Sequence, residues 1–163
     1  VSTPLRQGLL QKQLINISQI IDMTVDLLCY RLELNSVEVI RKQSDNLPLI
    51  DADPELLKEV FVNLMVNACE AMENGGEMMI SEEEALAENI GRAVLVKFTD
   101  NGPGMSEEVR KRVLEPFETT KADGTGLGLF IAVRIIEEHG GWVDIESKVS
   151  QGACFTIYLP MEE

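Results

Sequence analysis

The stretch ETTKADGTGLGL, residues 118 to 129, sets glycines at every second position: Gly124, Gly126 and Gly128. Glycines this dense let backbone come very close to a ligand. They lead into the apolar-rich run LGLFIAVRIIEEH, which reads as a helix. Free N–H groups and the positive end of that helix therefore face outward, which makes an anion site. Lys121 precedes the glycines, whereas the lysine of a P-loop follows the last one. Nor does the spacing fit the dinucleotide fingerprint, whose third glycine falls three residues after the second.

Two further stretches carry donor and acceptor groups. In DADPELLKEVFVNLMVNACEAM, Glu59, Asn63 and Asn67 stand four apart, one turn each along a helix. They edge a wide apolar arc of Leu57, Val60, Phe61, Leu64, Met65 and Ala68. The carbonyl oxygen of an asparagine is a hard ligand suited to Mg²⁺. In DNGPGM, Asp100 ends a strongly apolar strand pattern, beside backbone freed by Gly102 and Gly104. A carboxylate there can accept a hydrogen bond from the exocyclic amine of a base. Taken singly, the three stretches also read as a hinge, a solvated helix face and a turn.

The elements that would position these groups can be read along the chain. Residues 5–34 are mostly helical in pattern, with Leu14, Ile17, Ile21, Val25 and Leu28 at spacings of three and four. VEVIR (37–41) alternates as a strand does. Asp53 and Pro54 mark a helix start, and Asn74-Gly75-Gly76 its stop. EMMIS follows as a strand, then an acidic loop over 82–91, then the strand RAVLVKFTD. Ser106 caps a short helix over 107–114. Gly140-Gly141 ends the glycine-led helix, and WVDIES and ACFTIYL form a hairpin joined by KVSQG. Neighbouring strands in pairs, rather than strict strand–helix alternation, predict an α+β fold: a two-layer α/β sandwich with a mixed β-sheet covered on one face by helices.

The totals bound the function. With 163 residues the chain suggests one domain large enough for a real core. A net charge of −14 argues against nucleic acid as a partner. It also means that a phosphate ligand needs a divalent cation and backbone N–H groups to offset repulsion. Cys29, Cys69 and Cys154 are odd in number and form no CxxC, so they read as small buried hydrophobes. No apolar run approaches the roughly 18 residues of a membrane span. The beginning, VSTPLRQGLL, has no secretory pattern and reads as a cut point in a longer protein.

Taken together, Asn-xxx-Asn-Ala, Asp-x-Gly-x-Gly, Glu-Pro-Phe and Gly-x-Gly-x-Gly, in that order, resemble the catalytic ATP-binding domain of sensor histidine kinases. That domain belongs to a superfamily with gyrase B, MutL-type repair proteins and the heat-shock ninety chaperones. The resemblance covers nearly the whole chain and implies the Bergerat ATP-binding fold over 15–163, with 1–14 a linker or the tail of a preceding helical dimerisation domain. EPFETTK looks most like the nitrogen-regulation branch, whose members often carry a second Phe where this chain has Glu118.

The resemblance implies roles residue by residue. Asn67 is the Mg²⁺ ligand. Asn63 sits near the phosphates, and Asn63, Glu59 and Lys121 form the catalytic set. Asp100 recognises the adenine amino group, with Gly102 and Gly104 beside it. Phe117, Thr120, Gly124, Thr125, Gly126, Leu127 and Gly128 belong to the lid and the phosphate cradle, and Thr156 lies under the adenine. ATP and Mg²⁺ are the implied ligands. The implied partners are a histidine-bearing dimerisation domain of the same parent and a downstream response regulator receiver domain, in a homodimeric parent, either soluble or membrane-attached, with this domain cytoplasmic. One departure stands out. The sole histidine, His139, lies in EEHGGW at a helix end, where it can bond the last carbonyls, and does not resemble a phosphoacceptor. Two other readings remain open: an ATPase switch of the gyrase or chaperone kind, and a non-catalytic binding module. Gyrase-like relatives carry a water-activating glutamate four residues before the Mg²⁺ asparagine. Here that place is Asn63, and an amide cannot take a proton.

Overall fold

The computed structural model describes residues 9–88, 91–113 and 128–161. In chain order the elements are β1 (Gln13–Ile15), α1 (Ile17–Leu27), α2 (Cys29–Leu34), β2 (Val37–Gln43), β3 (Ile50–Ala52), α3 (Pro54–Ala71), β4 (Gly76–Ala87), β5 (Gly91–Asp100), α4 (Glu107–Arg112), α5 (Gly128–Glu138), β6 (Trp142–Ser147) and β7 (Ala153–Pro160). Five strands form one sheet in the order β2-β4-β5-β7-β6. Only β2 and β4 run parallel; the other pairs are antiparallel. The sheet is therefore mixed, as expected. Its helix-side residues, Met78, Ile80, Val94, Val96, Phe98, Phe155 and Ile157, join one core with Ile17 and Ile21 of α1, Phe61 and Met65 of α3, and Ile135 and Ile136 of α5. On the other face a small cluster of Ala93 and Leu95 is closed by Trp142 stacked on Tyr158 at 4.5 Å.

α3 follows its sequence closely. Asp53 caps it, Oδ1 accepting the N–H groups of Glu55 at 3.1 Å and Leu56 at 3.2 Å. Every residue of the apolar arc on α3 is buried. Ser106 likewise caps α4 through its hydroxyl, which accepts the N–H of Val109.

Three expectations need correction. The first helical stretch is shorter than its pattern: residues 13–15 are a strand paired with β3, and Leu14 is exposed there rather than part of a helical stripe. The acidic run is no loop up to Ala87, because β4 continues through Glu82, Glu83 and Glu84 against β5. Glu82 is buried, bonded by Ser18 Oγ at 2.8 Å and paired with Arg41, which also grips Asp22. Burial pushes its carboxyl above the ordinary range against the pull of Ser18 and Arg41. Third, of the cysteines only Cys69 is buried; Cys29 is exposed and Cys154 half-buried.

His139 closes α5 as its position suggested, and it is only 5% exposed. Nδ1–H donates to the carbonyl of Ile135 at 2.8 Å, and Nε2 accepts the N–H of Asp53 at 3.1 Å. With both nitrogens engaged this way the ring is neutral. Burial, with Lys12 adding to it, holds its pKa below 6.5. In the unfolded chain His139 takes up a proton below its ordinary pKa; in the folded chain it resists. Its contribution to stability is therefore complete above pH 6.5 and declines as the pH falls below that value. Urea unfolding from pH 7.5 to 5 should show this slope, and His139→Gln, whose amide can still accept the Asp53 N–H, should flatten it. Equal slopes would contradict the assignment.

Candidate functional site

α3 is the axis of the site. Glu59, Asn63 and Asn67 lie half-buried along one edge of it, flanked by its buried apolar arc. At the far end of that edge, β5 delivers Asp100 against the last turn of α3. A Cβ placed on Gly102 would stand 3.1 Å from Asp100 Oδ1, 3.1 Å from Met72 Cγ and 3.7 Å from the carbonyl of Ala71. At the near end α5 begins: Asn63 Nδ2 donates to the carbonyl of Gly128 at 3.1 Å. From residue 63 to residue 71 the helix advances about 12 Å. A ligand laid along α3 would thus meet a buried carboxylate at one end, two carboxamides along its length, and the positive end of α5 at the other.

Asp100 faces the helix layer, being on the same side of β5 as Phe98, Val96 and Val94. It is 8% exposed. Burial pushes its carboxyl above the ordinary range, opposed by the N–H groups of Gly102 and Ala153. The loop after it is fastened to the β6–β7 turn. The Ser150 N–H bonds the Pro103 carbonyl at 2.6 Å, the Met105 N–H bonds Ser147 Oγ at 2.8 Å, and that hydroxyl donates to the Gly152 carbonyl at 2.7 Å. Gly104, at φ +71°, lies so near the turn that a Cβ would sit 2.0 Å from the Lys148 carbonyl oxygen. Gly102 and Gly104 thus hold Asp100 in place by backbone packing.

Thr156 does not join this group. Asp100 pairs with Ala153 across the β5–β7 ladder, and Thr156 pairs with Lys97. Side chains alternate along a strand, so Ala153, Phe155, Ile157 and Leu159 share the face of Asp100, and Thr156 lies on the other. The residue opposite Asp100 is Ala153, which none of the motifs singles out. Its signal was present: the alternation of Phe155, Ile157 and Leu159 puts Thr156 out of phase with the core face. Phe117, Thr120, Lys121, Gly124, Thr125, Gly126 and Leu127 lie outside the described residues. Gly128, the last of the glycines, is described, and it touches Asn63.

Comparison with known proteins bears on this arrangement. Residues 52–163 match the family described as histidine kinase-, DNA gyrase B-, and HSP90-like ATPase. This chain belongs to that family. Its match runs from the end of β3 to the last residue and contains α3, Asp100 and Gly128. Sporulation kinase E of Bacillus subtilis (strain 168) is 38% identical over 148 residues, 91% of this chain and 20% of that protein. The chain therefore spans about a fifth of the length of that relative. Among solved structures, the nucleotide-free catalytic domain of histidine kinase ThkA superposes with a TM-score of 0.79 at 30% identity, covering 93% of this chain and 96% of that domain. ThkA in complex with the response regulator protein TrrA gives 0.77 at 27% identity, covering 94% of this chain and 42% of that one. Full-length ShkA in complex with AMPPNP gives 0.81 at 29% identity, covering 94% of this chain and 32% of that one. The fold is that of histidine kinase catalytic domains, and the domain is of the ATP-binding kind.

Proposed function

We propose that this domain binds ATP along α3 and passes the γ-phosphoryl group to a histidine on a separate helical domain of a sensor histidine kinase. The observation that carries the reading is the edge of α3, where Asn63 and Asn67 stand between Asp100 at one end and Gly128 at the other. Asp100 accepts the adenine amino group, and the start of α5 faces the phosphates. Phe117, Thr120, Lys121, Gly124, Thr125, Gly126 and Leu127 complete the lid and cradle in this reading, with Lys121 meeting a phosphate as a point charge. Asn67 would hold Mg²⁺, which neutralises charge on the transferring phosphate. Among the described residues no three His, Cys, Asp or Glu side chains gather as a metal site. An ion at Asn67 would find phosphate oxygens and water as further hard ligands.

Positioning and charge neutralisation supply most of the catalysis in such a transfer. Nothing at position 63 can take a proton from water, and Glu59 lies a further turn back, about 6 Å along the axis. His139 is buried with both nitrogens bonded, so the acceptor is a histidine elsewhere. The complex of ThkA with TrrA supports a response regulator as the next recipient, and a homodimeric parent completes the reading.

The test compares phosphate release by the domain alone with labelled phosphate appearing on the acceptor histidine of an added helical domain. Slow release and clear transfer are expected, and Asn67→Ala should lower transfer at least ~100-fold by removing the cation ligand. Brisk release by the domain alone, with no label transferred, would favour a hydrolytic switch instead.

A further inference from the structure

We propose that the outer side of α1 and α2 is a docking surface for an amphipathic helix of a partner protein whose apolar edge is flanked by Lys and Arg. Four large apolar side chains there are mostly exposed and join no core cluster among the described residues: Met23, Leu27, Tyr30 and Leu34 are 58%, 61%, 74% and 71% exposed. They form one row. The helical pattern continues across the break at Leu28, whose N–H bonds the Thr24 carbonyl at 3.0 Å and whose carbonyl accepts the Leu32 N–H at 2.9 Å. The spacing of four, three and four is the seam by which one helix packs on another. At 100° per residue the row lies roughly 130° around from Ile17, Ile21, Thr24 and Leu32, which make the contact with the core. A continuous exposed apolar row on a soluble face marks an interaction site rather than scattered surface residues.

Charge selects the occupant. Asp22, Asp26 and Glu33, all exposed, run along one flank of the row, and only Asp22 has a basic partner among the described residues, Arg41. A second copy of this chain would bring two such acidic flanks together on molecules of net charge −14. An anionic bilayer surface is disfavoured for the same reason. A helix with basic flanks pairs with the acidic row while burying its apolar edge on Leu27 and Tyr30. The proposal is independent of the nucleotide reading, because the row points away from α3.

The experiment titrates the ¹⁵N-labelled chain with a helical peptide of about 20 residues, carrying leucines at the seam positions and lysines beside them. A second peptide has glutamates in place of the lysines. The lysine peptide should shift amides of residues 22–34 and bind at least ~tenfold more weakly to Leu27→Asp and to the pair Asp26→Lys and Glu33→Lys. These variants should keep the thermal midpoint and ATP affinity of the parent chain, since the changed side chains touch neither core nor site. Binding unaffected by Leu27→Asp, shifts on another surface, or equal binding of the glutamate peptide would overturn the proposal. So would a concentration-dependent dimer that Leu27→Asp dissolves, since the occupant would then be a second copy.

Discussion

Asp100→Ala is expected to weaken ATP binding by a factor of about 10–100 while leaving the domain folded. The carboxylate is an acceptor already desolvated by the fold, and burial makes its ionised form unfavourable. A charged hydrogen bond that such a group accepts from the adenine amine contributes about 1.5–3 kcal/mol, which converts to roughly that factor. The same burial has a second consequence. With its folded pKa raised, Asp100 holds a proton in the folded chain at pH values where the unfolded chain has released it. Its contribution to stability is therefore present at low pH and lost as the pH rises through the folded value. Above the folded pKa the ionised side chain is a burden, so there Asp100→Asn, which keeps the shape and removes the charge, should melt higher than the parent chain. Titration calorimetry for Asp100→Ala and thermal melts for Asp100→Asn check the two halves. Unchanged affinity in the first, or a lower midpoint in the second, would contradict the role given to Asp100.

Gly152→Ala is expected to destabilise the fold by about 3 kcal/mol or more, lowering the melting midpoint by roughly 6–12 °C. Gly152 has φ +73°, and a Cβ there would fall 2.0 Å from the carbonyl oxygen of Asp100 itself. The clash is with backbone at the strand end, which cannot rotate away. Gly104→Ala meets the Lys148 carbonyl in the same way. Gly91 is the control: its φ of +75° carries the same backbone strain, but among the described residues nothing lies within 4 Å of a Cβ there. Gly91→Ala should therefore cost only about 1–2 kcal/mol. If all three variants melt together, crowding around Asp100 is not what requires glycine at 104 and 152.

The sequence carried α3 in full because local signals agreed there: an Asp-Pro start, a helical apolar arc and a Gly-Gly stop. It carried β5 and the closing hairpin for the same reason, with an apolar run and clean alternation. It failed where distant pairing decides the outcome. Glu82 to Glu84 look like solvated loop until β5 lies beside them and Arg41, forty-one positions away, neutralises Glu82. β3 is three residues long and exists only because β1 pairs with it, and that same pairing takes Leu14 out of the helix its spacing suggests. In the site, β5 brings Asp100 beside the last turn of α3, and α5 brings Gly128 against Asn63. Thr156 did not, because motif order says nothing about strand register, and a single-residue difference in phase changes the face of the sheet.

The most direct measurement is calorimetric titration of the unaltered chain with ATP and with GTP, each with Mg²⁺. Asp100 as the reader of the adenine amine predicts that ATP binds and that GTP binds about 10–100-fold more weakly, since guanine presents a carbonyl to a buried carboxylate that would be left unpaired. Equal affinities for the two nucleotides would contradict the account.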